Sequence, residues 1–244
     1  MSYRLELHDI SMRCGDNTVL DGVSLQVQPG GVVVFGGRSG CGKSALLEIC
    51  AGLIKPSSGR VFWNGEEITD MSKYDLYDRR RSIGYVFQVH ALIANHSVFD
   101  NIALPLRCRG EASAAQVNEK VLGMMEEMHI SRDIESKFPE ALSTAQLKSV
   151  ALARALIINP KLLILDEPLS GMDPFTANTI ISVLHQRWER DGISIVMAAH
   201  SVSAWPQWEA GRFHLRKGRL ESVDDAFAMA LSLKPQRKFI YARK

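Results

Sequence analysis

The segment Gly37-Arg38-Ser39-Gly40-Cys41-Gly42-Lys43-Ser44 constrains this 244-residue chain more than any other. It fits the pattern G-x-x-x-x-G-K-[ST] and lies between an unbroken apolar run at 32–35 and the run Ala45-Leu46-Leu47-Glu48-Ile49, which reads as a helix. A run of that kind marks a strand buried on both faces of a parallel sheet. Glycines let the intervening loop wrap so that successive backbone N–H groups point inward at phosphate oxygens. The helix that starts near Lys43 aims the positive end of its dipole at the same anion. In this arrangement Lys43 is expected to reach the β- and γ-phosphates of a nucleotide, with the Ser44 hydroxyl ligating Mg²⁺.

A second buried run, 162–165, ends in two acids, Asp166 and Glu167. Asp166, at the strand tip, is expected to hold the Mg²⁺ water shell, and Glu167 to polarise an attacking water as general base. Taken alone, Asp166-Glu167-Pro168 reads as a solvated strand exit. The upstream loop is what favours the metal-and-base reading.

The rest of the chain fits an α/β class with a parallel core. The first thirty residues alternate polar and apolar, with turns at 14–17 and 29–31, which predicts a hairpin-rich antiparallel β-subdomain. Short strands are expected at 83–87, 193–198, 213–215 and 219–221. Helices are expected over 116–128 and 146–157. The stretch 89–158 therefore reads as a helical lobe inserted into an ATP-binding core made of 1–88 and 159–225, with a basic C-terminal tail at 226–244. That tail carries Arg237, Lys238, Arg243 and Lys244, and reads as a solvated extension or a partner contact.

Bulk properties exclude several classes. With 29 basic against 27 acidic residues the net charge is +2. Nothing here asks for nucleic acid, which needs a clustered positive surface. Cys14, Cys41, Cys50 and Cys108 form no C-x-x-C pair, so neither a zinc site nor a secreted disulfide framework is expected. The N-terminal residues lack the basic start and apolar run of a signal peptide, and no apolar stretch approaches the ~20 residues that span a bilayer. The expectation is a chain without a span of its own that serves a membrane by docking on another subunit.

With the two phosphate motifs in place, four further elements follow in order. Gln88 comes after Gly84-Tyr85-Val86-Phe87. Leu142-Ser143-Thr144-Ala145-Gln146 precedes Val150-Ala151-Leu152-Ala153-Arg154-Ala155-Leu156. Ser170-Gly171-Met172-Asp173 follows the two acids, and His200 follows Val196-Met197-Ala198-Ala199. A lone Gln or His is usually structural, but six elements in sequence order resemble the ATPases of ABC transporters over nearly the whole chain. The resemblance implies a P-loop NTPase core with a RecA-like parallel sheet and a head-to-tail pair of copies. Each ATP would lie between the P-loop of one copy and the signature of the other. Gln88 is then the Q-loop glutamine that senses γ-phosphate and magnesium. Ser143, Thr144 and Gln146 belong to the signature, Asp173 to the D-loop, and His200 is the switch histidine.

The resemblance also implies a peripheral subunit on the cytoplasmic face of the plasma membrane, paired with an integral permease that docks near residues 89–106, Val89 to Leu106. The apolar side chains of that loop (Leu92, Ile93, Val98, Phe99, Ile102, Leu104) suit a docking groove or plain lobe core. The segment from Val98 to Leu106, together with 166–174, is similar to Mla-type, Mce-linked lipid transport ATPases, and lipoprotein-releasing and amino-acid uptake ATPases share parts of the same patterns.

Two positions depart from the family pattern. Thr144 and Ala145 stand where two glycines are usual, and the β-branched Thr144 is stiff. Slow hydrolysis is expected, since one missing preorganised donor costs roughly 10²–10³ in rate. Near Cys14 the usual adenine-stacking aromatic is missing; only Arg13 offers a planar group, so weaker discrimination between ATP and GTP is expected. Cys41 within the loop should make nucleotide binding sensitive to thiol alkylation. Two rival classes remain: a nucleotide-gated structural subunit with little turnover, and a soluble ABC-type ATPase of DNA repair or translation. Intact Glu167 and His200 speak against the first. The lack of coiled-coil or zinc insertions speaks against the second.

Overall fold

A computed structural model describes residues 3–110, 112–200 and 210–223. Strand β1 (Leu5–Cys14) and β2 (Asn17–Val27) form the expected hairpin, and β4 (Ser58–Trp63) with the short β5 (Glu66–Glu67) completes an antiparallel sheet in the order β2-β1-β4-β5. The second sheet runs β10-β9-β3-β8-β7-β6. It contains β3 (Val32–Gly36), β6 (Ile83–Val86), β7 (Leu162–Asp166), β8 (Ser194–Ala198), β9 (Ala210–Arg216) and β10 (Arg219–Ser222). All its neighbours pair in parallel except the β9–β10 hairpin.

Successive side chains of a strand point to opposite faces, so each apolar run in the parallel sheet feeds two cores. Val33, Phe35, Ile164 and Val196 join Leu46 and Leu47 of α1 (Lys43–Cys50) and the inner face of the antiparallel sheet. Val34, Leu165 and Met197 face the other way. There they meet Ile102 of α3 (Val98–Arg109), Val121 of α4 (Ala114–Glu127), Val150 of α5 (Thr144–Leu156) and Leu184 of α6 (Pro174–Asp191). The helices α3, α4 and α5 fall between β6 and β7 in sequence, yet they share one continuous core with the sheet.

Helix starts follow from side-chain caps. Ser97, Ser113 and Ser143 each accept from the backbone N–H three residues on, and the last two complete reciprocal capping boxes with Gln116 and Gln146. Each cap contributes about 1 kcal/mol. The buried Arg187 of α6 fastens the lobe by donating to the Glu127 carboxylate of α4 and to Asn159 Oδ1.

One expectation needs correction, and one helix was missed. Residues 98–106 are helix α3 rather than part of a loop, because Ser97 caps it and Val98, Ile102 and Leu106 fall on its buried face. Pro105 sits inside that helix. Helix α2 (Lys73–Arg80) went unread because it buries only Leu76. The tail from 226, and residues 224–225 of the proposed core, lie outside the described residues.

Candidate functional site

The Gly37–Ser44 loop joins the C-terminal end of β3 to the N-terminus of α1. Its glycines are required by geometry. Gly42 has φ +103, and a Cβ there would lie 3.0 Å from both Cγ1 and the carbonyl oxygen of Val19. A Cβ on Gly37 would lie 2.7 Å from Cys41 Sγ and 2.8 Å from the Leu215 carbonyl. Cys41 is thus packed under the loop rather than displayed on it. Arg38, Ser39 and Gly40 are exposed.

Lys43 is 5 % exposed, and its Nζ donates to the Gly37 carbonyl at 2.9 Å and to that of Arg38 at 3.3 Å. It also lies 3.4 Å from Glu167 Oε1. A buried ammonium held by loop carbonyls and one carboxylate places a fixed positive charge at the glycine loop, a chemistry suited to phosphate.

Asp166 ends β7 with its carboxylate buried, and its Oδ1 has no hydrogen-bond partner among the described residues. Burial pushes its pKa above the usual carboxylate range, and the Ser44 hydroxyl, hydrogen-bonded to it, pulls the other way. An orphaned carboxylate oxygen beside a hydroxyl is an oxygen donor set that fits a hard divalent cation such as Mg²⁺.

Three side chains converge on Glu167. Besides Lys43, His200 Nε2 lies 3.0 Å and Gln88 Nε2 3.5 Å from Glu167 Oε2. Glu167 itself has φ +49, a left-handed conformation that side-chain-bearing residues adopt at a cost of roughly 1–3 kcal/mol. Its N–H donates to the Ala198 carbonyl at 3.0 Å, and its own carbonyl accepts from Ser170 N at 3.2 Å. Parallel pairing of β7 with β8 sets this up, because it places Asp166 opposite Ala198, two residues before His200.

The signature residues lie apart from this cluster. Ser143 caps α5, with its Oγ accepting from Gln146 N at 3.3 Å while Gln146 Oε1 accepts from Ser143 N at 2.9 Å. Thr144 is exposed, and its Cγ2 would lie 3.6 Å from a Cβ built on Gly171. Asp173 caps α6, accepting from Thr176 N at 3.0 Å and Thr176 Oγ1 at 2.6 Å, bonds that hold its carboxyl below the usual range. Among the described residues, no hydrogen bond joins Ser143, Thr144, Gln146 or Asp173 to the phosphate loop.

Some residues of the site escaped the sequence. Lys148 Nζ donates to the Glu167 carbonyl at 2.8 Å and to Ser170 Oγ at 2.5 Å. Its signal was position: Lys148, Ala151, Leu152 and Ala155 form the i, i+3, i+4, i+7 stripe that α5 buries. Arg154 of the same helix donates to the carbonyls of Ala91 and His90, and the fully buried Asn101 clamps Ile93, His96 and Ser97. Together they fix the chain that follows Gln88. Arg13 sits opposite Thr18 in the β1–β2 register. With Ser57, Ser58 and Lys217 it lines a polar cleft of about 480 Å³ that no phosphate-loop residue lines.

A buried strand, glycine loop and helix beside a metal-suited carboxylate and a clamped glutamate define a nucleotide-hydrolysing cassette. The sequence pattern of the ABC transporter family matches residues 20–170, and the chain belongs to that family. It is 40 % identical over 184 residues to methionine import ATP-binding protein MetN 1 of Rhodopseudomonas palustris, covering 75 % of this chain and 49 % of that protein. To MlaF of Haemophilus influenzae, an intermembrane phospholipid transport ATP-binding protein, it is 31 % identical over 198 residues, covering 81 % and 75 %. The chain thus spans about half the length of the methionine-import relative and three quarters of the phospholipid one. The ATP-binding cassette MJ0796, solved as a post-hydrolysis dimer with ADP and Pi, superposes with a TM-score of 0.84 at 29 % identity, covering 89 % of this chain and 96 % of that one.

Proposed function

We propose that the chain is the ATP-binding and ATP-hydrolysing subunit of an ABC transporter, and that ATP-driven closure of two cassettes moves a substrate through a separate permease. The observation that carries this reading is the convergence of Lys43, Gln88 and His200 on the Glu167 carboxylate, beside Asp166 and Ser44. In this reading the loop from Gly37 to Ser44 holds the phosphates, with Arg38, Ser39, Gly40, Cys41 and Gly42 contributing backbone donors and Lys43 its charge. Glu167 takes the proton of the attacking water, and His200 and Gln88 hold the carboxylate and the water in line. Ser44, Asp166 and Gln88 would hold Mg²⁺, which supplies charge neutralisation to the phosphates when bound.

A second copy of this chain is the proposed partner across the nucleotide, presenting Ser143, Thr144, Gln146 and Asp173. The division into a core (1–88 and 159–225), a lobe (89–158) and a tail (226–244) is part of the same proposal. Val89, 73 % exposed, belongs to the surface offered to the permease, which narrows from 89–106 to 89–97 because α3 is lobe core, with the neighbouring Phe87 at its edge. No described helix is long and apolar enough to cross a membrane; peripheral docking at the cytoplasmic face of the membrane is part of the proposal.

For the substrate, phospholipid is the proposed reading, on the similarity of the segments 98–106 and 166–174 to Mla-type ATPases and the match to MlaF, and methionine is its rival, on the match to MetN 1. The test is to recover the tagged chain with its membrane partner and assay ATP hydrolysis in phospholipid vesicles with and without methionine. Stimulation by phospholipid supports the lipid reading; stimulation by methionine alone removes it. The altered signature favours a second reading, a subunit that binds ATP and pairs but barely turns over. Tight ATP binding with no measurable hydrolysis by the recovered complex would select it.

A further inference from the structure

Lys148 is 6 % exposed, and a buried ammonium is costly unless well paired. It is paired with a carbonyl and a hydroxyl, not with a carboxylate. Its Nζ reaches the Glu167 main-chain oxygen at 2.8 Å and Ser170 Oγ at 2.5 Å. Burial lowers its pKa, and the negative charges of Glu167 and Asp166 work in the opposite direction.

The partner Lys148 holds is the strained residue of the site. The φ +49 of Glu167 must be enforced from outside, and its flanking peptides are pinned at Ala198, Ser170 and Lys148. The direction of the carboxylate follows from that backbone. Lys148 is also about one turn into α5, whose first residue is Thr144. Thr144 packs beside Gly171 in the turn that carries Ser170. A shift of the α5 N-terminus therefore passes through Lys148 into the backbone of Glu167.

We propose that Lys148 is a positioning residue for hydrolysis, which aims the Glu167 carboxylate through its backbone and ties that aim to the signature helix of the same copy. Engagement of one signature by the partner's nucleotide is thereby reported to the general base of its own site. This rests on the reading of Glu167 as that base.

The test uses the full chain with Lys148→Met, Lys148→Arg, Ser170→Ala and Glu167→Gln, measuring kcat, KM, ATP affinity and Tm. Misplacing a catalytic group by about 1 Å costs on the order of 10²-fold, so Lys148→Met is expected to lower kcat by at least about tenfold. ATP affinity should stay within about twofold, the mark of an interaction made only in the transition state. Lys148→Arg should recover part of the loss. Ser170→Ala should lower kcat less, and add nothing on top of Lys148→Met, as coupled residues do.

A Lys148→Met kcat within about twofold of wild type would overturn the inference, as would a fall in ATP affinity and Tm with kcat unchanged per bound nucleotide. If Lys148→Met does not fold, Ser170→Ala decides alone: a reduced kcat at unchanged ATP affinity supports the inference, and a wild-type kcat overturns it. Should Glu167→Gln still turn over, the base assignment fails. A dead Glu167→Gln beside a normal Lys148→Met removes only the present inference.

Discussion

His200 Nε2 lies 3.0 Å from Glu167 Oε2, so a side chain that is 65 % exposed closes over one that is 5 % exposed. The histidine is the outer wall of the site, reachable by a closing partner or an arriving phosphate. Removing it leaves the phosphate loop intact. His200→Ala is expected to lower ATP turnover by roughly 10²–10⁴-fold, the range of acid–base assistance, with ATP affinity in a fluorescent-nucleotide titration nearly unchanged. Equal losses in both would place His200 in binding instead.

Asp166 offers a test of the metal-suited site through pH. Burial, chiefly, raises its pKa; the Ser44 hydrogen bond lowers it, the Glu167 charge raises it again, and Lys43 and Lys148 lower it. A folded-state pKa above the unfolded one means the stability this group contributes is fully present below the unfolded pKa and is lost as pH rises through the folded one. At neutral pH the ionised carboxylate therefore destabilises the nucleotide-free protein. Asp166→Asn should raise its Tm at pH 7, with the advantage shrinking towards pH 4, while abolishing Mg²⁺-dependent hydrolysis. A lower Tm at pH 7 would show that the buried carboxylate is stabilising instead.

The signature helix starts on a reciprocal Ser143–Gln146 capping box, followed by Thr144 and Ala145. Replacing both with glycine lets a phosphate approach the backbone donors, at about 1 kcal/mol of helix stability per glycine. Turnover by the double variant should rise at least about threefold, since one such donor is worth roughly 10²–10³ in rate, even as Tm falls. Unchanged turnover would mean that these side chains do not set the pace.

The parallel sheet and the phosphate loop were legible because their signals are local. Unbroken apolar runs name the buried strands, and the glycine spacing names the loop. Helix α3 was not legible as such, because Pro105 and the mixed run from Val98 to Arg109 obscure a helical period that only the Ser97 cap and the lobe core resolve. The meeting of Gln88 and His200 at Glu167 is a product of sheet order, with β6 and β8 on either side of β7. Residue type alone carries no trace of it, and only the family resemblance supplied it. Lys148 was hidden for the opposite reason, since a lysine in a helix is ordinarily solvated.

Asn101 is fully buried, and its side-chain amide bonds Ile93 N at 2.8 Å, Ile93 O at 3.1 Å, and the His96 and Ser97 carbonyls at 3.0 Å each. Asn101→Leu would take this partner from the partly buried Ile93 N–H and His96 carbonyl, at about 1–3 kcal/mol each, while the Ile93 and Ser97 carbonyls keep the His96 and Asn101 backbone N–H groups. Hydrogen exchange at the Ile93 amide should accelerate by at least about tenfold, the equivalent of 1.4 kcal/mol. Protection equal to wild type would show that the chain after Gln88 is held by other contacts.

The most direct measurement is ATP hydrolysis by the full chain beside Glu167→Gln, with gel filtration of both in ATP and Mg²⁺. Wild-type turnover, together with a variant that binds ATP, does not hydrolyse it and elutes as a dimer, is the predicted result. A variant that hydrolyses as fast as wild type would contradict Glu167 as the base, and a wild type that neither turns over nor pairs, alone or with its membrane partner, would contradict the motor itself.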